Sequence, residues 1–183
     1  MRVLISAFEP FCNRKINNSE EVLNKLDLCK YNKILLPVSY NRSFNILKEE
    51  INKIKPDLVI CLGEAINRIE ICLERRAINL RKASICDNDN VYFDGLKVND
   101  CEDEFLYSNL NIDKLVLKTN VADSMDAGMF VCNSLFYELL DYNRELNNPM
   151  LCGFIHIPRI EKYKSIDEMK EKIELIIKNI MEE

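Results

Sequence analysis

Apolar positions along the chain fall into short blocks of two kinds, and the two kinds alternate. "RVLISAF" (2–8) is a compact, β-rich apolar run that reads as a buried first strand. "SEEVLNKL" predicts a short helix beginning near Ser19. "KILLPVSY" (33–40) reads as a second strand, and Pro37, which cannot donate to a ladder, puts it at a sheet edge or a strand end. In "SFNILKEEINKI" the apolar residues 44, 46, 47, 51 and 54 form a helical stripe, stopped by Lys55-Pro56. "DLVICLG" is a buried strand closing at Gly63. "RIEICLERRAINL" has period two, with Ile69, Ile71 and Leu73 on one face and Glu70, Cys72 and Glu74 on the other. Residues 82–111 are polar and irregular and read as a long loop. "KLVLKTNVA" suggests a further strand region, and "AGMFVCNSLFYELL" a helix starting just after Gly128. "MLCGFIHIP" is an apolar strand broken by Pro158. Ser165 and Glu168 form a capping-box pair ahead of a last helix, whose apolar positions 166, 169, 173, 176, 177 and 180 make one face.

Strands alternating with helices, several of the strands uniformly apolar, predict an α/β fold with a largely parallel sheet covered on both faces. No repeat, low-complexity tract or linker divides the chain, so residues 1–183 are expected to form one domain with a sizeable core. Folds of this kind gather their sites at the carboxyl ends of strands. With only four glycines in the chain, Gly63, Gly128 and Gly153 mark turns or close backbone approaches.

Composition narrows the function classes. The chain is 48% hydrophobic and 30% charged, which fits neither disorder nor a membrane protein. A net charge of −5 and a pI near 5.2 argue against nucleic-acid binding, and the basic knot of Arg75, Arg76, Arg81 and Lys82 fits a solvated edge as well as an anion site. No apolar run approaches the roughly 18 residues that span a bilayer, and the N-terminus lacks a signal-peptide pattern. No membrane association is expected, and the location expected is the cytosol. The eight cysteines are then free thiols, mostly small buried hydrophobes. Without a C-x-x-C pair and with one histidine, the spacing of zinc sites is missing. "CDNDNVYFDG" lacks the glycine and glutamate of a calcium loop. No metal is expected.

Three residues could carry chemistry. His156, the only histidine, stands near the end of an apolar strand, where it is either a structural imidazole or a base. Cys132 lies four residues past Gly128 at a helix start; it is core filling unless His156 can take its proton. In the first turn, the helix dipole and free amides would favour thiolate. Glu74 is a carboxylate on an otherwise apolar strand, either half of a solvated Glu-Arg pair or able to orient an imidazole.

Nearly end to end, the chain resembles the pyroglutamyl peptidase I family, cysteine peptidases that remove N-terminal pyroglutamate. "SAFEPF" resembles the family's opening strand and phenylalanine loop, and "IKPDLVICLGEA" its third strand. "ERRAIN", "SMDAGMFVCN" and "GFIHIP" resemble the segments of its glutamate, cysteine and histidine, in the right order. The resemblance implies Cys132 as nucleophile, His156 as general base and acid, and Glu74 as the residue that orients His156. It implies Phe8 and Phe11 as the ring-clasping pair, with Ile85, Phe130 and Val131 as further lining. It also implies an α/β/α sandwich, a homo-oligomer (tetramer or dimer), no cofactor, and peptides with N-terminal pyroglutamate as substrates. Amides near Cys132 and in the Phe8–Cys12 loop are the oxyanion donors to expect.

The departures from the family pattern are specific. Cys12 stands for the glycine after "FEPF", Glu64 for a frequent glutamine, Cys86 for a proline, and Ser84 for an arginine. Neither Arg81 nor Lys82 is placed to replace that arginine if the segment runs extended. Two alternatives follow: a relative that hydrolyses another N-acyl amide, and a catalytically silent binding protein that keeps the pocket.

Overall fold

A computed structural model describes residues 1–182. Its first half runs β1 (Val3–Phe8), α1 (Asn18–Lys25), β2 (Asn32–Leu36), α2 (Ser43–Ile54), β3 (Leu58–Glu64), β4 (Cys72–Glu74), β5 (Arg76–Ile78) and β6 (Arg81–Lys82). The second half runs β7 (Asp94–Leu96), β8 (Phe105–Tyr107), α3 (Ile112–Thr119), β9 (Ala122–Ser124), α4 (Val131–Arg144), β10 (Leu151–Ile157) and α5 (Ile166–Met181). Six strands form the main sheet in the order β2-β1-β3-β10-β4-β9. β2, β1, β3 and β10 run parallel; β4 is antiparallel to β10, and β9 is parallel to β4. Two short ribbons, β5–β8 and β6–β7, flank it.

β1 and β3 are buried at every position, and β10 at all but its first, because helices cover both faces of the sheet. On one face α1, α3 and α5 bring Val22, Leu115, Ile173 and Ile177 onto Ile5, Ile60 and Ile155. On the other, α2 and α4 bring Leu47, Leu135 and Phe136 onto Leu4, Val59 and Phe154. The result is the expected α/β/α sandwich with a mixed, mostly parallel sheet. Ser165 Oγ accepts from the Glu168 amide at 3.1 Å, so the predicted N-terminus of α5 is there. Among the described residues no helix is long and apolar enough to cross a membrane.

Three expectations need correction. The predicted strand "KLVLKTNVA" is mostly α3: Ile112, Leu115 and Thr119 are buried at helical spacing, while Leu117 is 85% exposed. Asn111 caps this helix and Asn120, at φ +51°, ends it, so local capping outweighs the β-rich composition. Pro37 lies at a strand end as expected: β2, at the sheet edge, stops at Leu36, and the Ser39 amide donates to the Pro37 carbonyl in the turn that follows. Ile69 is exposed, outside the strand, because a turn closed by Arg68 N–H on the Ala65 carbonyl delays β4; the alternation holds over Ile71–Glu74. The stretch 82–111 is not one loop, since β7 and β8 lie within it and pair with β6 and β5.

Candidate active site

Strand ends and a helix start converge above the carboxyl edge of the parallel strands. β3 ends with Gly63-Glu64 and β10 with His156-Ile157, and in their register His156 lies directly beside Gly63. On the other flank of β10, Glu74 faces Phe154 and Cys72 faces His156. Glu74 and His156 are therefore diagonal neighbours on one face of the sheet. Both are buried, and His156 Nδ1 lies 2.8 Å from Glu74 Oε1. The chain reaches α4 through Gly128, whose φ of +78° suits glycine, and Cys132 is the second residue of that helix. A Cβ added to Gly63 would stand 2.9 Å from Cys132 Sγ. The sulfur thus sits over Gly63, one strand from His156 and on the side toward which the imidazole projects.

The helix start is held firmly. Asn133 accepts from the Ile78 amide at 2.9 Å and donates to the carbonyls of Ile78 (2.9 Å) and Leu80 (3.1 Å), pinning α4 to β5. Phe130 supplies no side-chain cap, so the first-turn amides of Val131 and Asn133 have no acceptor among the described residues, and that of Cys132 turns to its own sulfur. These donors do not make the thiol acidic. Burial, with Glu74 adding to it, pushes the Cys132 thiol up to about 12 against a small opposing pull from its own amide. The expectation that the helix start favours thiolate is overturned, because desolvation of the charge outweighs the helix terminus.

Cys132 and His156 open onto a cleft of about 580 Å³ that Phe11, Phe130, Ile85 and Arg68 also line. An adjoining, mostly apolar slot of about 30 Å³ is walled by Phe8, Phe11, Val38, Phe130, Val131 and Cys132, with Asn17 and Glu64 as its polar members. The expected lining residues are thus brought together, with a division of labour. Phe8 and Val131 are buried walls of the slot alone, Phe11 and Phe130 line both spaces, and Ile85 lies in the open cleft. The rings of Phe11 and Phe130 are 6.0 Å apart. A groove of about 690 Å³ elsewhere, along Ile69, Asn120 and Tyr163, holds neither cysteine nor histidine.

The departures from the family pattern have local explanations in part. Cys12 has φ +53°, the left-handed region in which glycine is at ease, and its side chain is exposed. Glu64 is buried and compensated: Arg14 and Arg159 pair with Oε1, and the Asn18 amide donates to Oε2 at 3.0 Å. Ser84 lines the cleft. Arg81 turns instead to Glu138 on α4 (3.4 Å) and lies over the rings of Tyr40 and Phe93, while Lys82 points to Asp94. Neither enters the cleft. Cys86 is exposed, and nothing in the structure explains its replacement of proline.

Arg68 belongs to the site and carries no signal in the sequence. It lines the cleft, and its Nη2 meets Glu74 Oε1 (3.1 Å), Ser124 Oγ (2.6 Å) and the Asp126 carbonyl (2.9 Å). Only the turn at 65–68 and the pairing of β4 with β9 bring these groups together.

A family model for pyroglutamyl peptidase matches residues 1–181. The pyrrolidone-carboxylate peptidase of Brachyspira hyodysenteriae is 37% identical over 197 residues, covering 97% of this chain and 98% of that protein. That of Thermosipho africanus is 34% identical over 202 residues, covering 100% and 98%. Among solved structures, pyrrolidone carboxyl peptidase from Pyrococcus furiosus superposes with a TM-score of 0.91 at 28% identity, covering 100% of this chain and 99% of that one. Pyroglutamyl peptidase I from Bacillus amyloliquefaciens gives 0.88 at 30% identity, covering 96% and 94%.

Proposed function

Because the chain belongs to the pyroglutamyl peptidase family, we propose that it removes N-terminal pyroglutamate from peptides, with Cys132 as nucleophile. His156 acts as base and then acid, and Glu74 orients the imidazole. One observation carries this reading: the 2.8 Å Glu74–His156 contact, with Cys132 Sγ seated over Gly63 beside it.

The Nδ1 proton donated to Glu74 leaves Nε2 as the acceptor for the thiol proton. With the thiol held near 12, the resting cysteine is protonated, so proton transfer to His156 accompanies attack on the acyl carbonyl. The tetrahedral oxyanion takes the free first-turn amides of α4. The C–N bond then breaks, His156 protonates the leaving amine, and a thioester of pyroglutamate remains on Cys132. Water, deprotonated by His156, attacks the thioester and restores the thiol. Pyroglutamate carries no charged amine, so the apolar walls of Phe11, Phe130 and Ile85 in the cleft at Cys132 suit its ring. The same reading includes a cytosolic homo-oligomer, whose size light scattering would give.

Release of a chromogenic amine from its pyroglutamyl derivative, with other acyl amides in parallel, tests the proposal. Cys132→Ser and His156→Ala should each cost at least about 10³-fold in kcat, because nucleophile and base work as a unit. Glu74→Gln should lose about 10²-fold or more as the imidazole loses its fixed tautomer. No release by the wild type, or near wild-type turnover in a folded Cys132→Ser or His156→Ala variant, would overturn it.

A further inference from the structure

We propose that Arg68 is a substrate-binding residue on the leaving-group side: its free guanidinium edge receives a backbone carbonyl of the peptide released from pyroglutamate. The inference rests on the proposed function and extends it from the ring's apolar walls to the rest of the cleft. The slot beside Cys132 is apolar but for Asn17 and Glu64, whereas the open cleft has one wall made of Asn67, Arg68, Ser84 and Asp126. With the ring against Phe11 and Phe130 at the mouth of the slot and the scissile carbonyl at Cys132, the departing chain runs along that wall.

Arg68 is built for such a contact. Nη2 alone engages the protein, meeting Glu74 Oε1, Ser124 Oγ and the Asp126 carbonyl. Nε and Nη1 have no acceptor among the described residues, although the side chain is only 32% exposed. Because the guanidinium is planar, anchoring one corner fixes the whole fork, and the unused donors are held ready. An arginine that served only to fasten Glu74 would have no need to face the cleft with two idle donors. The acceptor that suits it is neutral: Glu74 already offsets the charge, so a peptide carbonyl fits better than a carboxylate.

The test compares two substrates, pyroglutamyl-alanyl-alanine amide and pyroglutamyl-aminomethylcoumarin, the second having no leaving-group peptide carbonyl. kcat/KM is measured on both for wild type, Arg68→Met and Arg68→Lys. Arg68→Met should lose at least about tenfold more on the peptide than on the arylamide, chiefly in KM, the scale of one charge-assisted hydrogen bond. Arg68→Lys, with a single donor head, should recover arylamide turnover without recovering the peptide preference. The ratio of the two values on one preparation does not depend on how much of a variant folds. Equal losses on both substrates would overturn the inference and make Arg68 a fastener of Glu74 alone. Failure of the wild type on both substrates would instead overturn the proposed function, and this inference with it.

Discussion

Cys132 occupies the space that Gly63 leaves empty. A Cβ at Gly63 would stand 2.9 Å from the sulfur and 2.8 Å from Cζ of Phe154, both closer than real Cβ contacts allow. Gly63 is also the register neighbour of His156, so the missing side chain lets thiol and imidazole share one patch of the sheet.

On the proposed function, Gly63→Ala should therefore cost both activity and stability, by comparable free energies. Displacing a reacting group by about 1 Å costs on the order of 10²-fold in rate, and overpacking by one methyl costs about 1–3 kcal/mol. Steady-state kinetics alongside thermal unfolding separates the two. Full activity in the Gly63→Ala variant would show that the sulfur has room to retreat.

The reactivity of Cys132 should report the desolvation of its sulfur. With its thiol pushed up to about 12, iodoacetamide labelling of Cys132 should keep rising about tenfold per pH unit through pH 10, as the thiolate fraction does. Peptide mass spectrometry follows this residue separately from the exposed Cys12, Cys29 and Cys86. A plateau below pH 8 would mean a preformed thiolate and would remove the concerted proton transfer argued above.

Glu138 links stability to pH. Burial first, with Asp141 adding and Arg81 opposing, pushes its carboxyl up to about 7. A folded pKa raised above the unfolded value contributes stability that is fully present below about 4.5 and is lost as pH rises through about 7. The difference in unfolding free energy between wild type and Glu138→Gln should fall by about 3 kcal/mol from pH 4.5 to pH 8. Urea titrations of both proteins across that range measure it, and a flat difference would place Glu138 at an ordinary carboxyl pKa.

Ser84 is the departure most exposed to substrate. An arginine here could stabilise developing charge, and neither Arg81 nor Lys82 reaches the cleft in its stead. Such a donor is typically worth about 10²–10³ in turnover. Ser84→Arg should raise pyroglutamyl hydrolysis at least about tenfold, a step of about 1.4 kcal/mol. A variant no faster than wild type would mean that the site does not use the charge.

Much of this protein was legible in its order of residues. The uniformly apolar runs of β1, β3 and β10 announced a sheet buried on both faces, and the stripes of α2 and α5 announced the covering helices, because each pattern reflects burial local to its own element. The order of the cysteine, histidine and glutamate motifs carried the family. Where local signals conflicted, as in α3, β-rich composition misled and capping decided. Tertiary structure alone settled what depends on strand order and register. It made Glu74 a diagonal neighbour of His156, set Cys132 over Gly63, and folded Arg68 back onto Glu74. It also reversed the expected acidity of Cys132, since a helix start is visible in sequence, but the desolvation that outweighs it comes from residues distant along the chain.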